Sequence, residues 1–258
     1  MKEGQDIIIK TCDVMQSFPT AAGEFVALNK INIEIAAGAL TVLRGRSGSG
    51  KTTLMNILGA LDYPKSGQVF VNFKGVQRSG SQGSGSPGSD EPKAGSPESG
   101  VPEAGVDLAS MSDKEREEIR RRKIGFVFQS VALIPMMTAY ENVEFALRLA
   151  GYKGDRAART KEVLSLVGLK KRMNHMPQEL SGGEQQRVAI ARAIAHKPDI
   201  VYADEPTAEL DSGTSIVVMK LFRKLVDEEG ITVVMTTHDV GLMEAADYMY
   251  ELEDGEIQ

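Results

Sequence analysis

The sequence predicts an α/β fold built on a mainly parallel sheet, and three observations carry that expectation. The runs "ALTVLRG" (39–45), "DIVYADE" (199–205) and "ITVVMTTH" (231–238) are short, apolar and rich in β-branched residues, as strands buried on both faces are. Stretches with helical character separate them: "KTTLMNILGAL" (51–61) follows the first, and "SIVVMKLFRKLVDEEG" (215–230) lies between the other two. Strand and helix alternate along the chain, the order a parallel sheet with crossover helices requires.

The remaining elements follow in order. "GQVFVNF" (67–73) reads as a strand. Residues 79–105, "SGSQGSGSPGSDEPKAGSPESGVPEAG", are mostly Gly, Ser and Pro with scattered charge. Such a stretch buries too little apolar surface to offset its ordering entropy, so a flexible loop is expected. Order returns at "SDKEREEIRRRK" (112–123), where Ser112 and Glu115 stand three apart, the spacing of a capping box. "IGFVF" is a strand, "TAYENVEFALRLAG" a capped amphipathic helix, and "RAARTKEVLSLVGL" another helix. In "LSGGEQQRVAIARA" (180–193), Ser181 and Glu184 repeat the capping-box spacing and start a helix behind two glycines. Near the end, Asp254 and Gly255 in "YMYELEDGEI" signal a hairpin turn.

Composition narrows the function. At 258 residues the chain can form a large core, and 41% hydrophobic with 26% charged residues suits a globular protein. A net charge of -6 argues against general nucleic-acid affinity. One cysteine, Cys12, fits a reducing compartment and a packing role. "MKEGQDIIIK" lacks the apolar core of a signal peptide, and no window reaches the roughly 18 apolar residues of a membrane span. A cytosolic protein that reaches a membrane through a partner is expected.

"GRSGSGKT" (45–52) matches G-x-x-x-x-G-K-[ST], and it follows a strand and opens a helix. Gly45, Arg46, Ser47, Gly48, Ser49 and Gly50 supply backbone N–H groups that can wrap phosphates, and Thr53 continues the run. Lys51 can reach the β and γ oxygens, and Thr52 can ligate Mg²⁺. "IVYADE" ends an apolar strand with Asp204, suited to a Mg²⁺ shell, and Glu205, suited to orienting or deprotonating water. Gln129, just past "GFVF", can bond Mg²⁺ or water, although a surface glutamine is the plainer reading. His238, in "MTTHD", can donate to a γ-phosphate oxygen, or simply end its strand. The helix start at Ser181 is a second anion-seeking N-terminus, and one chain has no evident need of two.

These pieces, with "AELD" (208–211) between the last two, resemble an ATP-binding cassette (ABC) ATPase in kind and order. The resemblance covers nearly the whole chain except residues 79–105, and "LSGGEQQR" is its most specific part. It implies a P-loop NTPase fold with a mainly parallel core sheet, an antiparallel β subdomain and a helical signature subdomain. The expected organisation is one domain, 1–258, with the core and β subdomain at about 1–128 and 187–258. The helical subdomain would occupy about 129–186, and the insertion about 79–105. The resemblance also implies ATP and Mg²⁺, with Lys51, Gln129, Glu205 and His238 in catalysis and Thr52, Gln129 and Asp204 around the metal. It answers the puzzle of the second N-terminus as well. Two copies would stack head to tail, so Leu180, Ser181, Gly182, Gly183, Glu184 and Gln185 close over ATP held by the other copy. Ser181 and Gly183 would touch the γ-phosphate, and Asp211 would carry contacts between the two sites. Phe18, in "QSFP", fits the aromatic that stacks on adenine, with Phe25 as the alternative.

"RRRKIGFVFQSVALIPMMTAYENVEFAL" and "MPQELSGGEQQR" are similar to the branch containing lipoprotein-releasing, macrolide-exporting and antimicrobial-peptide-exporting ATPases. That likeness implies a separate membrane permease, a place at the cytoplasmic face of the membrane, and no nucleic-acid partner. Residues 130–142 would receive the permease. Control of a cell-wall hydrolase or signalling by the same ATPase engine is the alternative; a soluble ABC ATPase acting on DNA or ribosomes is the more remote one. Three features depart from the family's habit: Arg46, Glu209 and the long stretch at 79–105. No regulatory domain is expected after the final hairpin.

Overall fold

The computed structural model describes residues 6–21, 23–76 and 105–258. It opens with an antiparallel group: β1 (Ile7–Thr20), β2 (Gly23–Ile31) and β3 (Glu34–Ala36). β1 pairs with β2 at its far end, where Phe18 opposes Phe25, and with β3 at its near end. Strand periodicity does not reveal β1, because register shifts and the positive φ of Asp13 interrupt its alternation.

The chain then runs through β4 (Leu40–Arg44), α1 (Lys51–Leu58), β5 (Ser66–Val71), β6 (Val106–Asp107), α2 (Asp113–Lys123) and β7 (Ile124–Val127). Next come α3 (Ala139–Leu149), α4 (Arg156–Leu166), α5 (Gly182–Ile194), β8 (Ile200–Asp204) and α6 (Ser212–Glu229). β9 (Thr232–Thr236), α7 (Val240–Met243), β10 (Tyr248–Glu253) and β11 (Glu256–Ile257) complete it. Both capping boxes expected at Ser112 and Ser181 form, and Thr138 with Glu141 makes another. The hairpin expected at Asp254 and Gly255 joins β10 to β11.

Two sheets result. One has the order β2-β1-β5-β6 with β3 on β1; the other runs β11-β10-β4-β9-β8-β7 and is parallel apart from β11. Consecutive residues of the parallel strands enter opposite cores. Val42, Val201, Ala203, Val233 and Met235 pack with α3 to α6, whereas Leu43, Ile200, Tyr202 and Val234 pack with α1, β1 and β5. Burial on both faces is why these strands read as unbroken apolar runs. α5 runs through residues 186 and 187 without a break, and its core is shared with α3 and α4. The Gly/Ser/Pro stretch lies outside the described residues except for Gly105. The strands on either side of it pair with each other, Val71 of β5 with Val106 of β6.

Parallel register gathers the chemistry. Asp204 pairs with Thr236 and Leu43 with Thr236, so the segments after β4, β8 and β9 leave from one edge. β7 pairs in parallel with β8 and delivers Phe128 and Gln129 to the same edge. Ligands of open α/β sheets bind at this carboxyl edge.

Candidate active site

The loop after β4 is shaped by two glycines. Gly45 has φ +149°, and a Cβ there would lie 2.2 Å from the Leu252 carbonyl oxygen. Gly50 has φ +102°, and its Cβ would lie 2.4 Å from the Ala27 carbonyl oxygen. Other residues clash with backbone at both places. The loop therefore threads between β10 and β2 and closes over Lys51. This side chain is 6% exposed, and its Nζ donates to the carbonyls of Gly45 at 2.8 Å and Arg46 at 2.9 Å. Desolvation lowers its pKa, while Glu205 and then Asp204 oppose that by favouring the ammonium.

Arg46, Ser47 and Gly48 are exposed at the mouth of the loop. Ser49 is buried, and its Oγ has no hydrogen-bond partner among the described residues. The N-terminus of α1 has no side-chain cap and no acidic residue in its first turn, so its N–H groups face the mouth unneutralised. A buried hydroxyl, a buried ammonium and uncapped N–H groups make a cradle for a polyanion.

The carboxylates stand beside it. Asp204 Oδ2 accepts from Thr52 Oγ1 at 3.1 Å, and Oδ1 accepts from Thr236 Oγ1 at 2.6 Å. The hydroxyl of Thr236 also accepts the Glu205 N–H at 2.8 Å, which ties both acids to β9. Adjacent hydroxyl and carboxylate oxygens are the hard donor set Mg²⁺ takes, so Thr52 and Asp204 fit that ion. Glu205 adopts φ +45°, an uncommon backbone for a non-glycine residue at a strand end. Its Oε1 lies 2.7 Å from His238 Nε2, with side-chain exposures of 24% and 49%. A cleft of about 340 Å³ beside the pair is lined by Glu205, Thr207, Leu210, Ser215 and His238. Sequence reasoning placed His238 toward a phosphate and passed over Thr236. The signal for Thr236 was its hydroxyl at the end of a buried strand next to the acidic one.

Gln129 is exposed just past β7, and no hydrogen bond joins it to the acids among the described residues. Thr53 is partly buried in the first turn of α1. Phe18 and Phe25 face each other across the β1–β2 hairpin, both exposed, and Ala27 on β2 abuts Gly50.

The signature lies elsewhere. Leu180 is buried, Ser181 and Gly182 are exposed, and Gln185 Nε2 donates to the Pro177 carbonyl at 2.9 Å. Gly183 is buried against α6, where a Cβ would sit 2.2 Å from Thr214 Cγ2. Asp211 caps α6 by accepting from the Thr214 N–H and Oγ1, and hydrogen bonding lowers its pKa. Among the described residues no hydrogen bond links 180–185 to 45–53.

Sheet edge, glycine loop and paired acids define an α/β phosphate-loop protein. The family model described as "ABC transporter" matches residues 28–208. An uncharacterized ABC transporter ATP-binding protein of Methanocaldococcus jannaschii, MJ1508, is 39% identical over 97% of each chain. The macrolide export ATP-binding/permease protein MacB of Syntrophobacter fumaroxidans is 36% identical over 97% of this chain and 31% of its own. The fold superposes on a solved dimer of the ATP-binding cassette MJ0796 in a post-hydrolysis state bound to ADP and Pi. Its TM-score is 0.78 at 36% identity, with 97% of each chain covered. The chain belongs to the ABC transporter family, as an ATP-binding and ATP-hydrolysing cassette.

Proposed function

We propose that two copies of this chain stack head to tail around ATP, and that hydrolysis there powers export or extraction by a separate membrane permease. One observation carries the reading. The chain holds a phosphate cradle at the start of α1 and an exposed, glycine-rich start to α5 at Ser181 and Gly182, and no hydrogen bond joins the two among the described residues. A second copy supplies what each half lacks. The solved relative with 36% identity is itself a dimer bound to ADP and Pi, and MacB joins its ATP-binding part to a permease. Attachment to a permease would hold this cassette at the cytoplasmic face of the membrane.

In this mechanism Lys51 exchanges the carbonyls of Gly45 and Arg46 for β- and γ-phosphate oxygens. Thr52 and Asp204, with Gln129 joining from β7, would hold Mg²⁺, which when bound offsets charge on those oxygens. Glu205 orients a water and accepts its proton as oxygen bonds the γ-phosphorus and the bond to the β–γ bridging oxygen breaks. His238 fixes the Glu205 carboxylate through the 2.7 Å contact and can turn its N–H to a γ oxygen. The other copy's Ser181 and Gly183 would bind the γ-phosphate, Asp211 would link the two sites, and Phe18 or Phe25 would stack on adenine. Loss of the γ-phosphate then removes the contact that joins the copies.

The test is Glu205→Gln. ATP binding should persist while turnover falls on the order of 10²–10⁴-fold, the usual share of a general base. The variant should accumulate as an ATP-bound dimer in light scattering. A variant that stays monomeric in saturating ATP and hydrolyses at the wild-type rate refutes the assignment.

A further inference from the structure

The cap that starts α5 contains a charge that a bound anion would oppose. Glu184 Oε2 accepts the Ser181 N–H at 2.9 Å and the Ser181 hydroxyl at 3.1 Å, while the Glu184 N–H donates back to Ser181 Oγ at 3.3 Å. Donation from the Ser181 backbone, the Ser181 hydroxyl and Arg172 keeps this carboxyl below the usual range, although its partial burial works the other way. Glu184 therefore stays ionised at neutral pH. A negative charge in the first turn favours its own helix, but it repels a phosphate arriving at the same N-terminus.

The free oxygen is already occupied. Glu184 Oε1 accepts from Arg172 Nε at 3.1 Å, and Arg172 Nη1 lies 3.2 Å from His175 Nε2. The segment that carries Arg172 is itself anchored to α3: Ala139 N–H donates to the His175 carbonyl at 2.9 Å, and Tyr140 N–H to that of Met173 at 2.8 Å. The guanidinium is thus delivered to Glu184 by a tethered backbone.

We propose that Arg172 is a positioning residue of the signature: it holds Glu184 in its cap geometry and cancels its charge where the second copy's ATP arrives. This inference rests on the head-to-tail reading. A role confined to fold stability predicts little, because Arg172 is 49% and Glu184 20% exposed, and solvent-exposed ion pairs contribute little.

The experiment places Arg172→Gln in two backgrounds, wild type and Glu184→Gln, and reads kcat at saturating ATP. It also reads monomer affinity for a fluorescent ATP analogue. With Glu184 present, kcat should fall on the order of fivefold, the effect of one unbalanced charge at a helix N-terminus. Monomer affinity should hold, because among the described residues no hydrogen bond joins a chain's own signature to its own phosphate loop, and the head-to-tail reading places the signature on the other copy's ATP. In the Glu184→Gln background the same substitution should change kcat less than about twofold, since no charge remains to cancel. Equal losses in both backgrounds, no loss with Glu184 present, or an affinity change as large as the kcat change would each overturn the proposal. Ser181→Ala separates this from the underlying reading. Undiminished turnover in Ser181→Ala rejects the head-to-tail arrangement itself, whereas impaired Ser181→Ala with unimpaired Arg172→Gln rejects the Arg172 role alone.

Discussion

Lys51 directs its ammonium at the carbonyls of Gly45 and Arg46 and holds the phosphate loop closed around itself. Removing it should therefore act twice, by deleting the charge proposed to meet the β and γ oxygens and by releasing the loop. Lys51→Ala should reduce ATPase activity to near background and weaken ATP binding, as read by phosphate release and nucleotide titration. Near-normal turnover in the purified variant refutes the assignment. At this scale the motif was legible because "GRSGSGKT" specifies backbone shape and charge within eight positions. The contact of His238 with Glu205 was not legible. It depends on where β8 and β9 end relative to each other, a long-range register that no local spacing encodes. The same holds for Thr236, whose hydroxyl joins Asp204 to the Glu205 backbone.

Among the elements, α5 and α6 show how a motif residue can serve packing. Gly183 lies in the signature, yet its missing side chain leaves room for Thr214 Cγ2. Thr214 cannot turn away freely, because its Oγ1 donates to Asp211 Oδ2 at 2.6 Å in the cap of α6. Gly183→Ala should cost about 1–3 kcal/mol through overpacking. For a chain of this size, each kcal/mol lowers Tm by roughly 2–4 °C in thermal unfolding. Adding Thr214→Ser, which removes the methyl and keeps the hydroxyl, should restore most of the loss. If the double variant melts no higher than Gly183→Ala, the clash is not the cause. Helix starts such as Ser112, Thr138 and Ser181 were readable because a cap is settled within four residues. The long strand β1 was not, since bulges break its period and its partners lie on both sides.

For the whole molecule, the parallel sheet separates two cores and presents the chemistry at one edge. The stretch at 79–105 lies between β5 and β6 of the antiparallel sheet, and those two strands pair with each other through Val71 and Val106. A short connection can span that gap, and loop closure changes by only about 0.6 kcal/mol per doubling of length. Replacing residues 79–104 with a short Gly/Ser turn should leave thermal stability and the ATPase rate of the isolated cassette unchanged. Loss of that rate refutes a spacer role; loss only alongside the permease makes the stretch a coupling element. The sequence by itself determined the α/β class, the phosphate loop, the acidic strand end and the capped signature, because each is written in neighbouring residues. Tertiary structure alone decided that Thr236 bridges the two acids, that His238 meets Glu205, that Gly183 makes room for Thr214, and that Arg172 reaches Glu184. Each of these contacts joins separate segments whose meeting is set by strand register and helix packing, which are properties of the folded chain.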